Sequence, residues 1–242
     1  MNTIIATILI LVAHGDDVVV SANYLGTVCA DPSTRCVGVA VTDGSASGDK
    51  RAYASMNMEY IPLHFTDLPG NTPQIKVIQQ WHKEVTEYGY QSFQAGVIDL
   101  IKRIDPDKII VLDPRHGTGG HTSHLVLGWH TIYAANSIGY GDTVWVQSAT
   151  RHIADSHFAG TVNYVDKGED FSGFSMCTPD EKAMVVKDGW MYTYNFLKHY
   201  PELFDADKLL KAPDEWRQSV FLKWDDQDPE DVNYSRCKSI WR

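Results

Sequence analysis

The feature that most constrains this chain is an apolar run near its start that ends in a histidine and two aspartates. The run is IIATILILVA, at positions 4–13, and His14, Asp16 and Asp17 follow it closely. A continuous aliphatic run of this length is typical of a strand buried on both faces of a parallel sheet. Open sheets of this kind bind ligands beyond the carboxyl ends of their strands. Because buried ionisable groups need partners, we expect a ligand here, and a divalent metal is the simplest one.

Further apolar runs alternate with helical patterns along the chain. Strands are predicted at 36–42, 61–65, 109–112 and 143–149, and helices within 74–104, after residue 121 and at 179–199. A further helix is predicted from residue 18, ending at Gly26 or at the Asp31-Pro32 pair. This alternation predicts an α/β fold with a mostly parallel sheet. The first strand–helix–strand unit has no G-x-G-x-x-G motif, so a dinucleotide site is not indicated.

The length of the chain and its net charge limit the number of domains and the kinds of binding partner. The chain has 242 residues and a net charge of −10. We expect a single domain over 1–242, with the core motifs within 4–150 and a C-terminal elaboration over 151–242. The acidic charge and the lack of a basic stripe argue against nucleic acid as a partner. The oligomeric state is left open, and a homo-oligomer is compatible with the sequence.

The apolar N-terminal run also raises the question of a signal peptide or a membrane segment. It has no preceding positive region and no convincing cleavage site, and it is too short to span a bilayer. We therefore interpret it as the first strand of a soluble, cytoplasmic protein without an integral membrane segment.

The cysteines of the sequence also agree with a cytoplasmic protein. Cys29, Cys36, Cys177 and Cys237 form no CxxC pair and are too sparse for a disulfide framework. We expect reduced thiols, with a Cys29–Cys36 bridge as the alternative.

Two short motifs at strand ends carry the chemistry: HGDD at 14–17 and HTSH at 121–124. The outer residues of each motif are three apart, so they can point the same way on a tight turn. His14, Asp17 and His124 then offer three ligands to a metal with one open position, the pattern of a catalytic zinc site. Asp16 and His121 remain as a base for water and as an oxyanion stabiliser or acid.

Other interpretations of the two motifs remain open at this point. An HxxH pair can simply begin a helix, and an Asp pair after a strand can simply cap one. Two histidines and one carboxylate also form the facial triad of non-haem iron enzymes. Both motifs at strand ends of one α/β domain favour the metal hypothesis.

The segments LVAHGDD, VTDG and DPDKIIVLDPRHGTGGHTSH together resemble the LmbE-like (PIG-L) family of zinc-dependent de-N-acetylases, whose motifs read AHPDD and HxDH. The resemblance extends over positions 4–128, roughly half of the chain. It implies a Rossmann-like three-layer fold with the site at the strand C-termini. It further implies one Zn²⁺ per chain, or another divalent metal, and removal of an acetyl group from an N-acetylglucosamine-type sugar or its conjugate.

Carried over by position, the resemblance implies specific roles for five residues. His14, Asp17 and His124 would hold the zinc. Asp16 would be the general base that activates the zinc-bound water. His121 would polarise the carbonyl and stabilise the oxyanion, or act as the acid toward the leaving amine.

The sequence departs from the family motifs at several positions. Gly15 replaces the usual proline, which we expect to loosen the turn, and Val18 replaces a frequent glutamate. Ser123 replaces the aspartate of the second motif, so either another acid such as Asp113 substitutes or His121 is less basic. This departure motivates an alternative, a sugar-binding protein of the same fold with weakened or lost catalysis.

Substrate contacts are assigned only loosely. Asp43 and Asp113 end two predicted strands, at the sheet edge where the substrate is expected. Arg51 and Glu59 are the available candidates for an arginine and a glutamate that often follow TDG in the family. We predict substrate-binding roles for Asp43, Asp113 and Arg51.

Overall fold

A twisted sheet flanked by two groups of helices forms the centre of the computed structural model. The structure describes residues 6–42, 48–112, 114, 121–148, 183–186, 189–203, 206–207 and 219–223. Within these ranges the sheet has seven strands in the order β3-β2-β1-β4-β5-β7-β6. Their bounds are β1 Ala6–Val12, β2 Thr34–Thr42, β3 Glu59–Phe65, β4 Lys108–Leu112, β5 Val144–Ser148, β6 Ala183–Val186 and β7 Ser219–Lys223.

The helices pack in two groups. They are α1 Ala22–Cys29, α2 Asp49–Ser55, α3 Gln74–Glu87, α4 Phe93–Ile104, α5 Thr122–Ser137 and α6 Trp190–Leu197, with short 3-10 helices at Gly15–Ser21 and Gly141–Thr143. Helices α1, α2 and α6 pack together, and α3, α4 and α5 pack together. Because crossovers between parallel strands are right-handed as a rule, this places one group on each face of the sheet. The predicted α/β fold with a three-layer arrangement is confirmed.

Strand β1 occupies the middle of the parallel part of the sheet. It pairs in parallel with β2 on one side and with β4 on the other. Its residues from Leu9 to Val12 are almost completely buried, as is Ala13 beyond it. β3 and β5 extend the parallel sheet at either side, whereas β7 is antiparallel to both β5 and β6. The carboxyl ends of five neighbouring strands therefore meet at one edge.

The helical pattern predicted within 74–104 forms two helices. Gly89, with a φ of +87°, lies between them, a conformation that glycine adopts at little cost. The hydroxyl of Ser92 caps α4 by accepting a hydrogen bond from the backbone N–H of Ala95. Asp105, in the left-handed region, ends α4. The face predicted to be apolar is buried, at Phe93, Val97, Leu100, Ile101 and Ile104.

The predicted helix at 179–199 is wrong in its first part. Residues Ala183–Val186 form strand β6, which pairs with β7, and the helix covers only Trp190–Leu197. The sequence of β6, AMVV, ends in two β-branched residues that favour a strand once a partner strand is available. Most of the predicted C-terminal elaboration lies outside the described residues. No helix of the described ranges is long and apolar enough to cross a membrane.

The prediction of reduced thiols is wrong for two of the four cysteines. Cys29 and Cys36 form a disulfide between the end of α1 and the start of β2. The turn at 30–33 folds the chain back and brings the two Cα atoms to 5.8 Å, within the range that a disulfide requires. The number and spacing of the cysteines do not determine this disulfide, because the pairing depends on the direction of the turn. Cys177 and Cys237 lie outside the described residues.

We predict that this disulfide stabilises the fold. It closes a short loop, for which the chain-entropy model gives ~2–3 kcal/mol. The Cys29→Ser/Cys36→Ser variant should lose about that free energy of unfolding in urea denaturation. Wild-type protein that has been unfolded and refolded in reductant should match the variant. Equal stability of the oxidised wild type and the variant would contradict the bridge.

Candidate functional site

The first motif forms a tight turn directly after β1. A 3-10 helix begins at Gly15, and the backbone N–H of His14 donates to Asp17 Oδ2 at 2.8 Å. The backbone N–H and the hydroxyl of Thr42, at the end of β2, both donate to the carbonyl of Ala13, at 2.8 and 2.9 Å. These bonds fix the direction in which the chain leaves the sheet. They hold the side chains of His14 and Asp17 at its carboxyl edge.

The second motif forms the start of helix α5. His121 precedes the helix, and Thr122 begins it. The backbone N–H and the hydroxyl of Thr122 donate to the carbonyl of Gly70, at 3.0 and 2.8 Å. His124, in the first turn, is 6% exposed. The first turn of α5 therefore faces the turn after β1.

Three side-chain atoms of the two motifs converge on one point. His14 Nδ1 lies 3.1 Å from His124 Nε2. Asp17 Oδ2 lies 3.3 Å from His14 Nδ1 and 3.2 Å from His124 Nε2. Ligand atoms around a tetrahedral zinc, each 2.0–2.1 Å from the ion, are ~3.3 Å apart. The spacing and the nitrogen and oxygen chemistry of this set fit such an ion.

His121 is also near this point. His14, His121 and His124 each offer a ring nitrogen, and these nitrogens lie within 4.8 Å of one another. The His121 ring stacks on His124, with centroids 4.9 Å apart. The three histidines are therefore a second set of residues that could hold a metal.

The electrostatics favour a cation in this position. Burial of His14 opposes its charge, but the carboxylates of Asp17 and Asp67 outweigh burial and raise its pKa to about 11. Burial of Asp17 favours its neutral form, yet His124 and His14 lower its pKa well below the usual range. The site thus attracts positive charge, which a bound metal would supply in place of a proton.

Asp16 has a different environment from its neighbour. Burial, and then the charge of Asp17, raise the pKa of Asp16 from 3.8 to about 6, although His14 offsets part of the increase. A carboxylate of this pKa accepts protons near neutral pH, as a general base must.

His121 is held as a neutral ring. Burial, and then the charges of His124 and His14, lower the pKa of His121 from 6.5 to about 4. Its Nδ1 accepts a hydrogen bond from the backbone N–H of Ser123 at 3.3 Å. The proton of the neutral ring is therefore on Nε2, which leaves Nε2–H as a donor.

The hydroxyl of Ser123 does not replace the aspartate of the family motif. Ser123 is 1% exposed, and its Oγ has no hydrogen-bond partner within the described part of the chain. His121 therefore receives only a backbone contact from this position. The pKa of His121 is lowered by burial and by the other two histidines, so the effect of Ser123 on its basicity stays a prediction.

Gly15 is required by its surroundings, so the expectation of a looser turn is wrong. A Cβ atom at Gly15 would lie 2.2 Å from the carboxylate of Asp49. That carboxylate accepts hydrogen bonds from the hydroxyls of Tyr60 and Tyr200, at 2.7 and 2.8 Å. The hydroxyl of Tyr53 donates to the Gly15 carbonyl at 3.1 Å. The turn is tightly packed, and the packing excludes a side chain.

Of the three predicted substrate residues, only Arg51 lies within the described residues. Asp43 and Asp113 lie outside the described residues. Arg51 is exposed on α2. Glu59 begins β3, at the opposite edge of the sheet from the site, and pairs there with Arg35.

One residue of the site was missed in the sequence. Asp67 follows β3, and its Oδ1 lies 3.0 Å from His14 Nε2. It is the first acidic residue after a predicted strand, the same signal that led to Asp43 and Asp113. Applying that rule to every predicted strand would have found it.

Comparisons with known proteins place the fold. No family model matches the sequence, and no curated protein matches it. A deacetylase of the teicoplanin biosynthesis pathway aligns with a TM-score of 0.59 and 12% identity, over 91% of this chain and 100% of that chain. The A40926 pseudoaglycone deacetylase Dbv21 aligns with a TM-score of 0.51 and 12% identity, over 90% and 96%.

A third solved structure has another activity. GalB, the 4-carboxy-2-hydroxymuconate hydratase of Pseudomonas putida KT2440, aligns with a TM-score of 0.51 and 10% identity, over 94% of this chain and 100% of that chain. At these identities the likeness is one of fold.

We predict that Gly15→Ala destabilises the protein by ~1–3 kcal/mol, because the new Cβ overpacks against Asp49. Urea denaturation of Gly15→Ala, Asp49→Ala and the double variant measures this contact. The double variant should lose less free energy of unfolding than the two single variants lose together, by about 0.5 kcal/mol or more. Strictly additive costs would contradict the contact.

Proposed function

We propose that this protein is a metal-dependent hydrolase that removes the N-acetyl group of an N-acetylglucosamine-type sugar or its conjugate. The observation that carries the proposal is the convergence of His14 Nδ1, Asp17 Oδ2 and His124 Nε2 at 3.1–3.3 Å. Asp16 and His121 adjoin this set, with pKa values suited to a base and to a neutral donor.

His14, Asp17 and His124 would hold the metal, and we propose Zn²⁺, one per chain. The metal, when bound, lowers the pKa of water and polarises the scissile carbonyl. Asp17 and the two histidines fit this role better than the three histidines together, because their atoms have the closer spacing. His121 then stays available for the substrate.

Asp16 would take a proton from the attacking water. The water oxygen bonds to the acetyl carbon, the carbon–nitrogen bond breaks, and the proton passes to the leaving nitrogen. The products are the free amine and acetic acid, which releases its remaining proton to solvent and leaves as acetate. A base whose pKa is raised toward the working pH is suited to both transfers.

His121 would donate its Nε2–H to the carbonyl oxygen as negative charge develops there. A neutral donor in a buried site stabilises such a charge without having to lose its own proton. This role follows from Nδ1 being occupied by the backbone N–H of Ser123.

The comparisons support this proposal in part. Two of the solved structures with this fold are described as a deacetylase of the teicoplanin biosynthesis pathway and as the A40926 pseudoaglycone deacetylase. The third is described as a hydratase, so the fold alone does not decide between amide hydrolysis and addition of water. The sequence motifs and the base–donor pair favour amide hydrolysis.

A second candidate is a sugar-binding protein with weakened or lost catalysis. Ser123 favours it, because its hydroxyl leaves His121 without a carboxylate partner at this position. Calorimetry beside an acetate assay separates the two candidates. Sugar binding by zinc-loaded protein without acetate release would favour the binding protein.

We predict about one zinc per chain in the purified protein, and acetate release from at least one member of a panel of free and conjugated N-acetylhexosamines. Asp16→Asn should retain zinc and lose at least ~100-fold in kcat, the usual contribution of a general base. His121→Ala should also retain zinc, whereas Asp17→Ala should lose it.

Metal analysis and an acetate assay on the same preparations check these outcomes. Asp142→Asn, an exposed acid before β5, is the matched control and should behave as wild type. Full turnover by Asp16→Asn, or loss of zinc in His121→Ala with retention in Asp17→Ala, would contradict the assignments.

We further predict the pH dependence of kcat/KM. Asp16 must be unprotonated to act as a base, and its pKa is raised to about 6. Activity should therefore be full at neutral pH and fall as the pH drops through about 6, or lower when a bound cation stabilises the carboxylate. A pH profile of the zinc-loaded enzyme, corrected for zinc loss, measures this. Activity that increases below pH 6 would contradict Asp16 as the base.

A further inference from the structure

We propose that Asp67 is a positioning residue that fixes the orientation and tautomer of His14 for metal binding. The inference rests on the proposed metal site and extends it to a residue that neither sequence motif contains.

The contact involves Nε2 of His14, the ring nitrogen that faces away from the proposed metal site. His14 Nδ1 faces Asp17 and His124, whereas His14 Nε2 lies 3.0 Å from Asp67 Oδ1. A carboxylate accepts and cannot donate, so Nε2 carries the proton and donates it. When a metal takes the place of the second ring proton, Nδ1 is the nitrogen whose lone pair faces it. A carboxylate that accepts from the second nitrogen of a ligand histidine fixes that ring and strengthens it as a ligand.

The segment that carries Asp67, residues 66–72 after β3, is anchored at both ends. The backbone N–H of Thr66 lies 3.1 Å from both carboxylate oxygens of Glu84, and the Thr66 hydroxyl also donates to Glu84. Trp81 Nε1–H donates to the Thr66 carbonyl at 3.3 Å. At the other end, the Gly70 carbonyl accepts both donors of Thr122. Asp67 is thus held between α3 and the start of α5.

The same segment also borders the second motif. A Cβ atom at Gly70 would lie 2.6 Å from Cδ2 and 3.0 Å from Nε2 of His121. The segment therefore contacts the His14 ring through Asp67 and the His121 ring through Gly70. A change in the position of this segment would therefore displace rings of both motifs.

Asp67 suits mutagenesis because its side chain is 43% exposed and lies in a loop. Asp67→Asn keeps an oxygen that accepts from His14 Nε2–H but loses the charge, and Asp67→Ala loses both. The Zn²⁺ dissociation constant is measured by competition with a chromophoric chelator at fixed pH, with Asp142→Asn as the control. We expect a ~10–100-fold weaker affinity for Asp67→Ala, an intermediate value for Asp67→Asn and no change for the control.

A second readout reports the tautomer directly. In zinc-loaded protein with ¹⁵N-labelled histidine, the wild type should show His14 bound through Nδ1 and protonated at Nε2, with Asp67→Ala altering the Nε2 signal. Unchanged zinc affinity in Asp67→Ala would overturn the inference. A raised KM with unchanged zinc affinity would also overturn it and assign Asp67 to the substrate. If the wild type binds zinc but releases no acetate, the proposed function fails, and the affinities still decide the role of Asp67.

Discussion

The carboxylate of Asp17 is the interaction on which the site depends. One of its oxygens accepts the backbone N–H of His14, lies beside the His14 ring and faces His124, which is more than a hundred residues away in the chain. It therefore shapes the turn after β1 and joins it to the start of α5. Two histidine rings and a buried carboxylate at this spacing favour bound positive charge, so the geometry and the charge lead to the same occupant, a cation.

Much of the fold and the centre of the site could be predicted from the sequence. The buried strand at 4–13 and the motifs at 14–17 and 121–124 are local patterns, and the parallel sheet brings their ends together. The aliphatic run can pair on both sides only in the middle of such a sheet, which is where β1 lies. Local patterns of this kind predict the structure well, because the same residues determine both the strand and the edge at which it ends.

The errors share a different physical origin: each depends on a contact between distant segments. Gly15 is required by the carboxylate of Asp49, which Tyr200, 151 residues further along the chain, helps to hold. The Cys29–Cys36 bridge depends on the direction of a turn, and β6 depends on pairing with β7. Asp67 follows a predicted strand, but its contact with the first histidine of the site joins positions 53 residues apart in the chain. The hydrophobic periodicity of the sequence does not predict these contacts.

The central claim is that one metal ion is bound by His14, Asp17 and His124. Crystals grown with zinc, with anomalous diffraction recorded above and below the zinc absorption edge, test it most directly. The account predicts one anomalous peak per chain, within about 2.3 Å of His14 Nδ1, a carboxylate oxygen of Asp17 and His124 Nε2. A peak ligated by His121 in place of Asp17, or no peak at this edge of the sheet, would contradict it.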